Sequence, residues 1–296
     1  SFGANAIKLK NSEYSVEQVA KKSVENAKNA IKNSGKDVFV AFDIGPTGKL
    51  LTPMGTLPFE EAVNIYREMA HYAQLGGADL ILIETMTDIY ELKAAVLGAK
   101  EGCSLPVVAT VTPDENGKLL TGADVQTVVV MLEGLRVDGL GFNCGLGPKQ
   151  MLSLLSELTE TASLPILITP NAGLPTVVNK KTVFNVLPQE YAADACSLIK
   201  AGACAVGGCC GTTPAHIREM TNLCKGMDIL APSQKNITAV CSYAKTVRFG
   251  DAPVIIGERI NPTGKSKMKQ ALKDNNMEYI LSEGISQVKN GAHILD

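Results

Sequence analysis

Ala203-Cys204-Ala205-Val206-Gly207-Gly208-Cys209-Cys210-Gly211-Thr212-Thr213-Pro214 reads as a strand, a turn and a helix start. The apolar run lacks alternation, as expected of a strand covered on both faces. Thr213-Pro214 is a helix-start pair, because proline fixes φ and the first helical position needs no N–H. The same unit recurs upstream. Apolar, β-branched runs at 38–42, 80–83, 107–111, 139–142 and 166–168 precede the one at 203–206. Helical patterns fill 16–33, 60–75, 89–100, 124–135, 149–161, 189–200 and 215–224. Thr87-Asp88 and Gly147-Pro148 add two more helix starts. The strands return about every 33 residues, one βα unit each. This regularity predicts an α/β protein built as a (β/α)8 TIM-type barrel. An open doubly wound sheet is the structural alternative. Residues 1–5 are expected to be the end of a seventh strand, so the barrel is expected to lack its first strand or strands.

Beyond residue 225 the texture changes. Residues 226–250 are mixed and polar and are expected to form a linker. A new strand is expected at 254–257, a helix at 271–289 and another strand at 292–295. Three regions are therefore expected: a first barrel over 1–225, a linker over 226–250, and the truncated start of a second barrel over 251–296. Some 45 residues are too few to bury a core of their own.

The chain has 296 residues, of which 45% are apolar and 20% charged, so disorder is excluded as a general state. Net charge is −2, aromatics are 5% and tryptophan is absent, which argues against nucleic-acid binding. No apolar run approaches the roughly 18 residues of a membrane span. Eight cysteines are too sparse for a disulfide scaffold, so a reducing cytoplasm is the expected location.

In a parallel barrel, reactive groups stand at the C-terminal ends of strands. Three of the eight cysteines fall there: Cys144, Cys209 and Cys210. Adjacent strand residues point to opposite faces. Cys209 and Cys210 therefore converge only if the chain leaves strand geometry, and Gly207, Gly208 and Gly211 provide that freedom. Three thiolates with no rim histidine match an open zinc site, whose fourth position accepts water or a soft ligand such as a thiol. Zinc deprotonates a bound thiol at neutral pH, so the chemistry points to alkyl transfer to sulfur. Plain packing is the competing reading for each cysteine, and it is kept for Cys103, Cys196, Cys204, Cys224 and Cys241. A redox pair is weighed and set aside, since vicinal cysteines make a strained disulfide. Glu84 ends an apolar strand. It either holds a substrate ammonium or serves the fold through an ion pair or a helix N-terminus. Asp43-Ile44-Gly45-Pro46 is a rim segment or only a turn.

Asn143-Cys144, Glu84-Thr85 and the run from Gly207 to Pro214 with His216-Ile217 resemble the homocysteine S-methyltransferase family over residues 1 to about 225. Ile256-Gly257-Glu258-Arg259-Ile260-Asn261-Pro262-Thr263-Gly264 resembles the start of a pterin-binding, folate-binding barrel. That order of two barrels is similar to the N-terminal half of the cobalamin-dependent methionine synthases. The resemblance implies zinc on Cys144, Cys209 and Cys210. It implies homocysteine at Glu84, with Asn171 beside the zinc, and a pterin pocket at Glu258 and Asn261. It also implies 5-methyltetrahydrofolate as methyl donor and methylcobalamin on a corrinoid-binding module outside this chain. The expected activity is methyl transfer to the homocysteine thiolate, giving methionine, by a chain expected to be inactive alone. The alternatives are a corrinoid-independent homocysteine S-methyltransferase using betaine or S-methylmethionine, and a non-catalytic zinc-stabilised barrel.

Overall fold

The computed structural model describes residues 1–250 and 252–296. These form two compact units, Ser1–Lys235 with Ser242–Lys245, and Asn236–Cys241 with Thr246–Asp296. The expected start of the second barrel at Asp251 lies outside the described residues.

In chain order the first unit contains α1 (Val16–Ser34), β1 (Ala41–Ile44), α2 (Phe59–Gly76), β2 (Leu80–Met86), α3 (Ile89–Gly102) and β3 (Val107–Val111). It continues with α4 (Val125–Gly134), β4 (Gly139–Asn143), α5 (Pro148–Thr161) and β5 (Ile166–Thr169). A small hairpin, β6 (Thr176–Val178) with β7 (Lys181–Val183), precedes α6 (Pro188–Lys200), β8 (Ala205–Val206) and α7 (Pro214–Cys224). The helix starts are local. Ser15 and Gln18 form a reciprocal cap on α1, Asp88 accepts from Tyr90 N at 2.8 Å, and Pro148 and Pro214 open their helices.

The main sheet runs β1-β2-β3-β4-β5-β8, and every neighbouring pair is parallel. A doubly wound sheet reverses its strand order at a switch point; this one never does. Right-handed crossovers in such an order put all helices on one face, and the sheet curls into part of a TIM-type barrel. The core lies between sheet and helices. Phe42, Ile44, Ile81, Ile83 and Ile168 of the sheet and Tyr66, Met69, Leu92 and Leu155 of the helices are all fully buried. Asp43 is paired in register with Leu82, two residues before Glu84, so period-2 alternation turns both carboxyls to the opposite face.

Four expectations need correction, the last of them in the second unit. Residues 1–5 are not a strand: Phe2 O accepts from Gly45 N at 3.1 Å and Ser1 Oγ from Asp43 N at 3.0 Å, but no ladder follows. The first strand begins at Ala41, and Val38 and Phe39 are exposed. The segment expected as linker contains a hairpin, β9 (Ala239–Cys241) with β10 (Thr246–Arg248), too short to show a period.

The second unit adds β11 (Ile256–Gly257), α8 (Ser266–Lys273), α9 (Met277–Lys289) and β12 (Ile294–Leu295), with β11 and β12 parallel. The single helix expected at 271–289 is two helices. Asn275 adopts φ 51°, and Asn276 caps α9 by accepting from Tyr279 N at 3.1 Å. Asparagine tolerates this left-handed backbone and caps well, so the break is written in Asp274-Asn275-Asn276. One crossover leaves apolar faces uncovered: Leu281, Ile285 and Val288 are exposed.

Candidate metal centre

Three strand ends build the centre. After β4 the chain turns sharply, because Cys144 (φ 58°) and Gly145 (φ 66°) are both left-handed. Cys144 N donates to Thr169 O at 3.1 Å, which ties this turn to β5. The β5 end then templates the β8 end. Cys209 N donates to Pro170 O at 2.9 Å, Cys210 N to Asn171 Oδ1 at 3.1 Å, and Ala172 N to Cys210 O at 2.9 Å. The strand stops at Val206, so Cys209 and Cys210 are freed from opposite-face alternation. Gly211 (φ 81°) completes the turn, and a Cβ there would run into the Phe184 ring.

The result is a cluster in which the Cys144, Cys209 and Cys210 sulfurs all lie within 4.8 Å of one another. The Cys144–Cys210 separation is 3.7 Å. Metal–sulfur bonds of about 2.3 Å in a tetrahedron set sulfurs about 3.8 Å apart, so the spacing fits a zinc-sized ion. Electrostatics agree. Hydrogen bonding from Cys209, helped by Gly145 N–H, Cys210 and Asn171 and opposed by burial, lowers Cys144 to about 5. Cys209 is raised, first by its hydrogen bond to Cys144 and then by burial; Cys210 is raised by burial and by the Cys144 charge. Without a cation, three clustered thiols support one negative charge. A divalent ion replaces the remaining protons.

Glu84 stands on the same rim. Burial, the Asp43 carboxyl and the Cys144 charge raise it to about 7. Burial raises Asp43 to about 6, against the N-terminal ammonium and a hydrogen bond with Glu84. Asp43 Oδ1 is buried with no hydrogen-bond partner. Two carboxyls that share a proton in this way accept a cationic group readily. Asn171 is 3% exposed, and its amide serves both Cys210 N and the Cys144 sulfur.

Asn143 and Tyr191 belong to the centre, and sequence reasoning gave neither a role. Asn143 is fully buried. Its Oδ1 accepts from Thr85 N at 2.7 Å and Thr110 Oγ1 at 2.9 Å. Its Nδ2 donates to Thr85 Oγ1 at 2.7 Å and points at Cys209 Sγ, 4.0 Å away. It thereby holds Thr85, next to Glu84, at φ 64°, a costly conformation for a β-branched residue. An amide closing an apolar strand was the available signal. The Tyr191 hydroxyl lies 3.0 Å from Pro170 O and 2.7 Å from Gly207 O, so α6 supports the turn that carries Cys209 and Cys210. His216 Nδ1 accepts from Thr213 N at 3.2 Å, which leaves Nε2 to donate to Val186 O at 2.9 Å. It caps α7 rather than binding metal.

In the second unit, exposed Glu258 accepts from Asn261 Nδ2 at 2.6 Å and pairs with Lys265 at 3.0 Å. Lys265 and Asn261 hold it below the usual carboxylate range.

Fold and site define an α/β protein of the TIM-barrel type with a three-cysteine cluster at the strand C-termini. The homocysteine S-methyltransferase profile matches residues 1–224, and the chain belongs to that family. A methionine synthase of Mycobacterium tuberculosis (strain ATCC 25618 / H37Rv) is 36% identical over 266 residues, which is 87% of this chain and 22% of the relative. A methionine synthase of Mycobacterium leprae (strain TN) is 34% identical over 271 residues, with the same coverage. The chain thus spans about a fifth of the length of these relatives. The apo form of the homocysteine methyltransferase MmuM from Escherichia coli superposes with a TM-score of 0.57 at 25% identity, covering 70% of this chain and 74% of that one. Its metallated form gives 0.62 at 23% identity over 75% and 77%, a likeness of fold. Among the described residues no helix is long and apolar enough to cross a membrane.

Proposed function

We propose that Cys144, Cys209 and Cys210 hold one zinc ion and that this rim presents the thiol of homocysteine to a methyl donor, yielding methionine. The convergence of three sulfurs at one rim, at a spacing suited to zinc, carries the reading. Zinc bound there would keep the substrate sulfur as a thiolate at neutral pH. Glu84, backed by Asp43, receives the substrate ammonium, and the proton the two carboxyls share leaves as the cation arrives. Asn143 fixes the backbone beside Glu84, and Asn171 fixes the Cys210 loop against Cys144.

We further read the donor as a methylcorrinoid, carried by a module outside this chain and recharged from 5-methyltetrahydrofolate. The likeness of residues 256–264 to the start of a pterin-binding barrel supports this reading, and relatives named methionine synthase accord with methionine as the product. On it, residues 251–296 open a folate-binding barrel, with Glu258 and Asn261 in its pterin pocket. We read a reducing cytoplasm as the location, since eight cysteines in 296 residues are too sparse for a disulfide scaffold.

X-ray absorption on the zinc-loaded chain tests the central claim. Three sulfur neighbours should become four when homocysteine is added. A sulfur count that stays at three, or a fourth protein ligand already in place, refutes it.

A further inference from the structure

A second pair of thiols lies outside the metal rim. Cys196 is on α6, Cys224 closes α7, and their sulfurs are 3.4 Å apart. Both are partly buried. Cys224 packs against Tyr191, Ala192, Ala195 and Met220, the small core that joins the two helices. Cys103 and Cys204 are placed differently, with their sulfurs nearest backbone carbonyls at 3.3 Å and 3.8 Å. Sulfurs at 3.4 Å need to close by only about 1.4 Å to form a disulfide.

We propose that Cys196 and Cys224 form a reversible dithiol–disulfide site whose co-reactant is a low-molecular-weight disulfide of the glutathione type. In the first step the Cys196 sulfur, as thiolate, attacks one sulfur of the small disulfide. That S–S bond breaks, a mixed disulfide forms and one small thiolate leaves. In the second step the Cys224 sulfur loses its proton and attacks Cys196 Sγ, releasing the second small thiol. Two protein thiols are oxidised to one disulfide, and one small disulfide is reduced to two thiols. Burial, then the hydrogen bond and charge of Cys196, push the Cys224 thiol up to about 12. It therefore keeps its proton at neutral pH, and ring closure is slow compared with that of an exposed thiol.

The bond would close a loop of sequence separation 28 and tie the last turn of α7 to α6. α7 follows directly from the Cys209-Cys210 turn, and α6 carries Tyr191 beneath it. Oxidation would thus brace the support of the metal centre without using its sulfurs. A cross-link of this span constrains the unfolded chain, so the oxidised form should unfold at a higher temperature.

Peptide mapping of the full zinc-loaded chain after equilibration in glutathione buffers tests this. The expected product is one intramolecular disulfide joining the Cys196 and Cys224 peptides, with a raised unfolding midpoint that dithiothreitol reverses. Cys224→Ala and Cys196→Ser should each abolish both the link and the shift, and Cys103→Ser should keep both. The proposal fails if the link maps to another pair. It also fails if only glutathione adducts form, or if Cys196 and Cys224 stay alkylatable at the most oxidising ratio. None of these outcomes depends on methyl transfer, so failure here leaves the proposed activity standing.

Discussion

Replacing Asn143 by alanine removes one side chain that joins three strand ends. Three hydrogen bonds of 2.7–2.9 Å are lost, to Thr85 N, Thr110 Oγ1 and Thr85 Oγ1. Each contributes about 1 kcal/mol net, and a buried group left unpaired costs about 1–3 kcal/mol more. Thr110 is fully buried and has only a long 3.5 Å alternative at Ile83 O. Thr85 also loses the bonds that hold its φ at 64°. Together these give about 4–6 kcal/mol for Asn143→Ala. Thr110→Val removes one donor and leaves Asn143 paired with Thr85, so it should cost about 1 kcal/mol. Urea denaturation followed by far-UV circular dichroism measures both. Zinc binding should weaken in Asn143→Ala, because the chain next to Cys144 is loosened. A cost below about 1 kcal/mol for Asn143→Ala, equal to that of Thr110→Val, would refute the view that this amide organises the rim.

Glu84→Gln should raise the Kd of the zinc-loaded chain for homocysteine about 10- to 150-fold, the equivalent of roughly 1.5–3 kcal/mol, with zinc content unchanged. An unchanged Kd in a folded variant would leave Glu84 a purely structural role. Cys209→Ala should abolish zinc binding while Cys103→Ala keeps it, as metal analysis after dialysis can show; equal loss from both would overturn the ligand assignment. Asp43 and Glu84 sit above their ordinary values, at about 6 and about 7, so the folded state holds their protons more tightly. Their contribution is full below the ordinary carboxylate range and is lost as pH rises through 6 and 7. Relative to wild type, the substrate-free double variant Asp43→Asn/Glu84→Gln should therefore gain on the order of 1–2 kcal/mol between about pH 4 and pH 7.5, after allowance for solvent screening. Thermal unfolding across that range checks it, and a constant difference would remove the coupled pair from the account.

Much of the fold is legible because its signals are local. Apolar runs at 80–83 and 139–142, and the caps at Asp88, Gly147 and Thr213, act within a few residues, and the observed elements begin and end near them. Residues 1–5 and the hairpin at Ala239–Arg248 are not legible in the sequence, because segments this short carry no period. The break at Asn275 was readable from turn chemistry but was overridden by the helical pattern around it.

The amino-acid sequence by itself determined the βα rhythm and the placing of Cys144, Cys209, Cys210 and Glu84 at strand ends. Both follow from periodicity and strand length. The tertiary structure alone decided the consecutive strand order, which separates a barrel-type sheet from a doubly wound one. It also decided that Asn143 reaches Thr85 across a sequence separation of 58, that Cys144 reaches Cys210 across 66, and that Cys196 meets Cys224 across 28. Such pairings depend on how helices stack on the sheet and on which turns bend back. Packing across the whole sheet sets that geometry, and local propensity does not encode it.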